Sequence, residues 1–148
     1  MNPLDRNDYL RNAILQARPE QLQLMLYDGA IRFALQGRDA LDKKDYEASY
    51  EKLSRAQKIV LEMDDGLRPE VSREICEQMA SLYNFVYRKL VDASVQRDTQ
   101  LIDDALKILR HQRETWLLLL EKVNGMADTQ TALAGDDTPM PGSLSVQG

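Results

Sequence analysis

Reactive side chains are few in this 148-residue chain, and their spacing limits the chemistry that they could perform. The chain has one histidine, His111, and one cysteine, Cys76. Metal sites in helical bundles need several histidine or carboxylate ligands, and di-iron proteins use Glu-x-x-His, whereas the residue three before His111 is Ile108. A lone cysteine also cannot form an internal disulfide. We therefore expect no metal site and no cofactor.

The aspartates do not form a catalytic pattern either. Six of them occur as adjacent pairs, at positions 64 and 65, 103 and 104, and 136 and 137. Neighbouring residues on a helix point in different directions, so such a pair cannot act on one substrate as acid and base. The chain also has no phosphate-binding loop, nucleophile elbow or Cys/His pair. We predict a protein that is not an enzyme, with phosphotransfer through His111 left as the one enzymatic alternative.

Composition and charge exclude other classes of protein. Hydrophobic residues make up 43% of the chain and charged residues 29%, which is typical of one globular domain. The net charge is −5, and no basic stripe with interleaved aromatic residues is present, so we expect no binding to nucleic acid. The longest strictly apolar run, Trp116 to Leu120, is far shorter than the roughly 20 residues of a membrane span.

The N-terminal residues bear on the cellular location. Charges of both signs occur within the first eleven positions, without an uninterrupted apolar region, which is unlike a secretory signal. The single cysteine fits a reducing compartment. We therefore expect a cytoplasmic protein.

Hydrophobic periodicity and helix-end residues define the structural elements. Pro19 fits the first turn of a helix, Asp45 and Asp98 fit N-caps, and Gly66 fits a left-handed C-cap position. Pro69 can open the following helix. Apolar residues recur at helical spacing between these points. The predicted helices cover about residues 19–43, 46–63, 69–95 and 99–123.

These helices predict an all-α fold. No strand-like alternation bounded by turns occurs, and four helices joined by short loops alternate in direction. We therefore predict an antiparallel up-down-up-down four-helix bundle over residues 18–123. Residues 1–17 form an N-terminal arm. Residues 124–148, rich in Gly, Pro, Thr and Ser, are predicted to be a disordered C-terminal tail.

Two of the predicted helices have more apolar surface than one packing face requires. On the first helix, one stripe runs from Leu22 to Gly37 and a second lies beside it, and the third helix shows the same pattern. Six of the nine aromatic residues are tyrosines, which suit surfaces that are partly buried. The second stripes either widen the core or form a groove for an amphipathic partner helix. The candidate groove residues on these helices are Leu24, Tyr27, Ile31, Tyr83, Tyr87 and Val91.

Three segments of the sequence resemble the FliS family of flagellar secretion chaperones. They are RPEQLQLMLYDGAIRF at 18–33, ASLYNFVYRKLVDA at 80–93 and RETWL at 113–117. The resemblance extends over about residues 8–123 in the same order. It departs from the family pattern at Arg18, where a Ser or Thr cap is usual, and it does not include the tail.

The resemblance implies both a fold and a function. Members of the family are cytosolic antiparallel helical bundles that bind the C-terminal segment of new flagellin, block premature polymerisation and deliver the subunit to the type III export apparatus. It further implies that the N-terminal arm folds over part of the groove when no client is bound. Tyr9, Leu10 and Ile14 would then act as a removable plug.

Three matters stay open at this level. A four-helix adaptor or regulatory module with another protein client would have the same groove. The resemblance leaves open whether the protein also contacts export-gate components. The exposed apolar surface leaves open whether the client-free protein forms a homodimer through it.

Overall fold

The computed structural model describes the backbone of residues 18–135 and the side chains of residues 18–122. This part of the chain contains four α-helices and no strand, which confirms the predicted all-α fold. The helices are α1 (Pro19–Asp42), α2 (Tyr46–Asp65), α3 (Arg73–Gln96) and α4 (Thr99–Gly135).

The helices run antiparallel to their neighbours, as their contacts show. Across α1 and α2, Gly37 lies against Leu53 and Gly29 against Ile59, so one residue number falls as the other rises. The same reversal holds between α1 and α4 and between α3 and α4. Those contacts join Arg38 to Asp103, Asp28 to Arg113, Lys89 to Asp104 and Met79 to Gln112. The antiparallel four-helix bundle is therefore confirmed.

The chain divides into two compact units after Arg113. All of the contacts above lie within the first unit. The described part of the second unit, residues 114–135, is the rest of α4.

Two of the joints between helices use the same local structure. Lys44 and Arg97 adopt left-handed backbone angles, with φ of 60° and 55°. An aspartate follows each of them and caps the next helix. Asp45 accepts a hydrogen bond from the Ala48 N–H at 3.1 Å, and Asp98 accepts one from the Gln100 N–H at 2.9 Å. Both predicted N-caps are therefore confirmed.

The joint between α2 and α3 differs from its prediction. Gly66 is right-handed, with φ of −81°, so the predicted left-handed C-cap is wrong. Helix α3 begins at Arg73 and not at Pro69. The reason is that Ser72 has an extended backbone and its hydroxyl accepts from the Ile75 N–H at 3.3 Å, which makes it the N-cap.

Helix α4 is longer than predicted. It continues to Gly135, so residues 124–135 are helical and were predicted as disordered. The single Gly125 costs only about 1 kcal/mol relative to alanine in a helix, and the first proline after it is Pro139. The remaining tail residues, 136–148, and the predicted arm, 1–17, lie outside the described residues.

Small residues on α1 allow the helices to approach one another closely. Gly29, Ala30, Ala34 and Gly37 are all buried. A methyl group added at Gly37 would lie 2.6 Å from Leu53 Cδ2 and 2.7 Å from its Cγ, closer than atoms can pack. These glycines lower the helix propensity of α1, but they allow α1 and α2 to come into close contact.

The two apolar stripes of α1 consequently have different neighbours. The stripe that contains Gly29, Phe33 and Gly37 faces α2. The stripe that contains Leu24 and Ile31 lies on the side of Asp28 and Arg38, which bind α4. Helix α1 therefore packs against α2 on one side and is joined to α4 by two ion pairs on the other.

We predict that alanine destabilises the bundle at Gly37 but has little effect at Gly29. Gly37→Ala should destabilise the bundle by about 1–3 kcal/mol, since Leu53 and its backbone must move. Gly29→Ala should be close to neutral, because its methyl group would meet only the mobile end of Ile59 at 3.2 Å and helix propensity improves by about 1 kcal/mol. Urea unfolding of the two variants measures this, and equal losses of stability would contradict the close approach at Gly37.

Candidate partner-binding surface

Two of the predicted groove residues are core residues. Tyr27 and Tyr83 are each only 1% exposed. Their hydroxyl oxygens are 2.9 Å apart, and the Gln23 amide donates a hydrogen bond to the Tyr83 hydroxyl at 3.0 Å. This chain of polar groups joins α1 to α3. In this structure neither ring is accessible to a partner.

The buried environment changes how these tyrosines ionise. Burial is the main cause that raises the pKa of Tyr27, and hydrogen bonds from Tyr83 and Gln23 partly oppose it. Burial raises the pKa of Tyr83 strongly, and its hydrogen bond with Tyr27 adds to the effect. Both hydroxyls therefore stay neutral in the folded protein at pH values where a free tyrosine ionises.

Leu24 and Ile31, the other predicted residues of α1, are half-buried. They lie on the side of α1 where two ion pairs join it to α4. Arg38 binds both carboxylate oxygens of Asp103, at 2.6 and 3.0 Å, and lowers the pKa of that carboxyl group. Asp28 accepts from Arg113. Leu24 and Ile31 therefore lie on the same side of α1 as Asp28 and Arg38, the residues that form these ion pairs.

Tyr87 and Val91, on α3, are the predicted residues that border an accessible surface. Both are half-buried. Tyr87 lines a shallow depression of about 60 Å³ between α2 and α3 that opens to solvent. The other lining residues are Val60, Leu61, Asp64, Tyr83 and Asn84. Val91 follows Tyr87 by one helical turn on the same face of α3.

We refer to Leu61, Asp64, Asn84, Tyr87 and Val91 as the α2–α3 groove. Its walls are mixed, since Leu61 and Tyr87 provide apolar surface, Asp64 a carboxylate and Asn84 an amide. Leu61 is 44% exposed although it is a large apolar residue. A groove of this kind suits the apolar face of an amphipathic helix, with the polar groups orienting it.

The sequence-based prediction omitted several exposed apolar residues. The candidate groove residues named from the sequence include neither Leu61 on α2 nor Phe85 on α3, which are 44% and 40% exposed. Leu82 is exposed near Phe85, and Lys89 lies 5.2 Å from the Phe85 ring centroid. The signal available in the sequence was an apolar residue just off a core stripe. Helix α3 thus exposes apolar side chains along both of its edges.

The predicted arm residues Tyr9, Leu10 and Ile14 lie outside the described residues. Within the part of the chain that is described, no group of three His, Cys, Asp or Glu residues could hold a metal ion. None of the helices there is long and apolar enough to cross a membrane.

Comparison with known proteins identifies a family with related sequences. The family model described as flagellar protein FliS matches residues 1–123. A flagellar secretion chaperone FliS of Bacillus subtilis (strain 168) is 31% identical over 108 residues, which cover 73% of this chain and 80% of the relative. The Salmonella typhimurium chaperone of the same name is 31% identical over 119 residues, with 78% and 86% covered.

A solved structure has a similar fold. It is a crystal structure of a flagellar chaperone from bacteria, with a TM-score of 0.67 and 18% sequence identity. The match covers 80% of this chain and 98% of that chain. At this level of identity the likeness supports the four-helix fold alone.

We predict that the buried tyrosine pair makes the protein sensitive to alkaline pH. The folded pKa values lie above the ordinary value of 10.0. This contribution to stability is therefore complete below pH 10 and is lost as pH rises further, by about 1.4 kcal/mol per pH unit for each tyrosine that remains neutral in the fold.

The matched comparison is the double variant Tyr27→Phe/Tyr83→Phe, which keeps both rings. Its free energy of unfolding should fall less between pH 9 and pH 11 than that of the wild-type protein. Urea unfolding at each pH measures the difference. If the free energies of unfolding of the two proteins fell equally with pH, the pKa values of these hydroxyls would not differ between the folded and unfolded states.

Proposed function

The chain belongs to the FliS family of flagellar secretion chaperones, and on this premise we propose that it binds the C-terminal segment of newly made flagellin. Binding in the cytoplasm would prevent premature polymerisation. The bound subunit would then be delivered to the flagellar type III export apparatus, through contacts with its export-gate components. The family is one of secretion chaperones, which is not an enzyme class.

The observation that supports client binding is the exposure of apolar side chains along both edges of α3. One edge carries Leu82 and Phe85, and the other forms the α2–α3 groove with Leu61. A protein that functions alone seldom exposes large apolar residues along both sides of one helix. Such a surface is suited to cover the apolar face of a segment that would otherwise polymerise.

The α2–α3 groove is the part of this surface that we assign to the client. Tyr87 provides an aromatic ring with a polar end, a combination often found at the centres of protein interfaces. Leu61 and Val91 extend the apolar surface on either side. Asp64 provides a carboxylate that suits a lysine or arginine of the client helix.

The N-terminal arm has a proposed role at the same groove. Tyr9, Leu10 and Ile14 would cover its apolar side chains when no client is present and leave when the client binds. Client-free chains that lack this cover would be prone to pair through the same surface and form a homodimer. The arm therefore competes with the client, and covering the groove reduces the apparent affinity in proportion to the fraction of molecules that are left uncovered.

We predict that binding depends on the C-terminal segment of flagellin. Calorimetric titration with intact flagellin should show a complex, and flagellin without that segment should show none. Equal binding to both proteins would refute the proposed site on the client. Binding to neither, with capture of another protein helix, would support the alternative of an adaptor with a different client.

We predict that the α2–α3 groove carries this binding. Leu61→Asp should weaken flagellin binding by about thirtyfold, which corresponds to about 2 kcal/mol for a residue at the centre of an interface. Val71→Asp is the matched control, since Val71 is 80% exposed and lies outside the groove. Both variants should keep the thermal midpoint of the wild-type protein, and equal weakening by both would place the client elsewhere.

We predict that deletion of residues 1–15 leaves the bundle folded and strengthens flagellin binding several-fold, because the competing arm is gone. Circular dichroism tests the fold and calorimetry the affinity. Weaker binding after the deletion would instead make the arm part of the client site.

A further inference from the structure

A second surface with distinct chemistry lies where α1 meets α2. Three cationic groups surround the ring of Phe33, which is half-buried. The Arg32 and Arg55 guanidinium carbons lie 5.2 and 5.6 Å from the ring centroid, and the Lys52 Nζ lies 5.9 Å from it. We call Arg32, Phe33, Lys52 and Arg55 the basic-aromatic cluster.

The cluster has positive charge that its own neighbours do not neutralise. Arg55 pairs with Glu51 at 3.1 Å. Among the side chains that the structure describes, Arg32 and Lys52 have no carboxylate within 4.0 Å. The whole chain has a net charge of −5, so this charge is local and opposite to that of the molecule.

The three cations converge on one ring from two helices. Arg32 belongs to α1, and Lys52 and Arg55 belong to α2. Each is attracted by the negative face of the aromatic ring. An anionic segment that lies beside the ring can therefore reach cations of both helices.

We propose that the basic-aromatic cluster docks an acidic segment of a partner protein. Carboxylates of that segment would pair with Arg32 and Lys52, and an apolar side chain beside them would pack on Phe33. Charge complementarity supports this occupant, because the two cations lack partners and the ring offers apolar surface between them.

The geometry favours a protein segment over a lipid bilayer. The cations converge on one ring in the seam between two helices, whereas a membrane-binding surface spreads its cations over a broad face.

The basic-aromatic cluster is separate from the α2–α3 groove. Lys52 and Arg55 lie on the side of α2 that faces α1, whereas Leu61 and Asp64 lie on the side that faces α3. Both surfaces can therefore be occupied at once. The inference does not rest on flagellin binding, since the peptide that tests it, described below, contains no flagellin sequence.

The test uses a fluorescein-labelled helical peptide with glutamates four residues apart and leucines between them. Fluorescence anisotropy against the full chain in about 50 mM salt should show saturable binding that weakens as salt rises, because the contact is ionic. An otherwise identical peptide with glutamine in place of glutamate should bind at least about tenfold more weakly.

Paired variants locate the binding. Arg32→Gln/Lys52→Gln should weaken binding of the acidic peptide by about tenfold or more. Arg68→Gln/Arg73→Gln, which removes two exposed cations elsewhere, is the charge-matched control and should change it less than about twofold. Both variants should melt like the wild-type protein, since none of the four substituted residues is buried.

Three outcomes would overturn the proposal. The first is that the acidic peptide shows no saturable binding, and the second is that the two double variants weaken its binding equally. The third is that the protein binds phosphatidylglycerol vesicles and not the peptide, and that Arg32→Gln/Lys52→Gln abolishes the vesicle binding. The last result would assign the cluster to a membrane surface.

Discussion

The close contact between α1 and α2 is the constraint on which the rest of the bundle depends. Gly37 has no side chain where Leu53 packs, and Gly29 has none where Ile59 packs. These two gaps bring α1 deep enough into the bundle for Ala30 and Ala34 to be fully buried. With α1 in that position, Tyr27 reaches Tyr83 on α3, and Phe33 lies at the seam with α2. A bulkier face on α1 would hold the helices apart and remove both contacts.

The helices differ in how completely their apolar surfaces are used. Helix α1 packs on α2 along one side, and its buried residues are Tyr27, Gly29, Ala30, Ala34, Gly37 and Leu41. Helix α3 buries only one stripe, which contains Tyr83, Val86, Leu90 and Ala93. Apolar residues remain exposed along both of its edges. Similar apolar stripes are thus buried to different extents on α1 and α3. A stable bundle can in this way still have exposed apolar surface, which suits a secretion chaperone.

Polar contacts within the bundle differ in what they contribute. The ion pairs between α1 and α4 are partly exposed, so solvent screens them and each adds little stability. The buried hydroxyls of Tyr27 and Tyr83 are different, because either one left without its partner would cost about 1–3 kcal/mol. That penalty favours the one alignment of α1 and α3 in which the hydroxyls meet. The two tyrosines therefore help to set the register between α1 and α3. The accessible groove begins beside them, at Tyr87.

The sequence alone determined the number of helices, their antiparallel order, two aspartate caps and the family, because periodicity, capping and motifs are local properties of the chain. It placed Tyr87 and Val91 on the helix that borders the groove. It did not predict that Ser72 begins α3 or that α4 runs to Gly135, since local preferences at those ends were nearly balanced. Only the tertiary structure decided which stripes are covered. Tyr27 and Leu61 are both apolar residues at helical spacing, and the burial of one and the exposure of the other depend on which helix lies beside each, which is a contact distant in sequence.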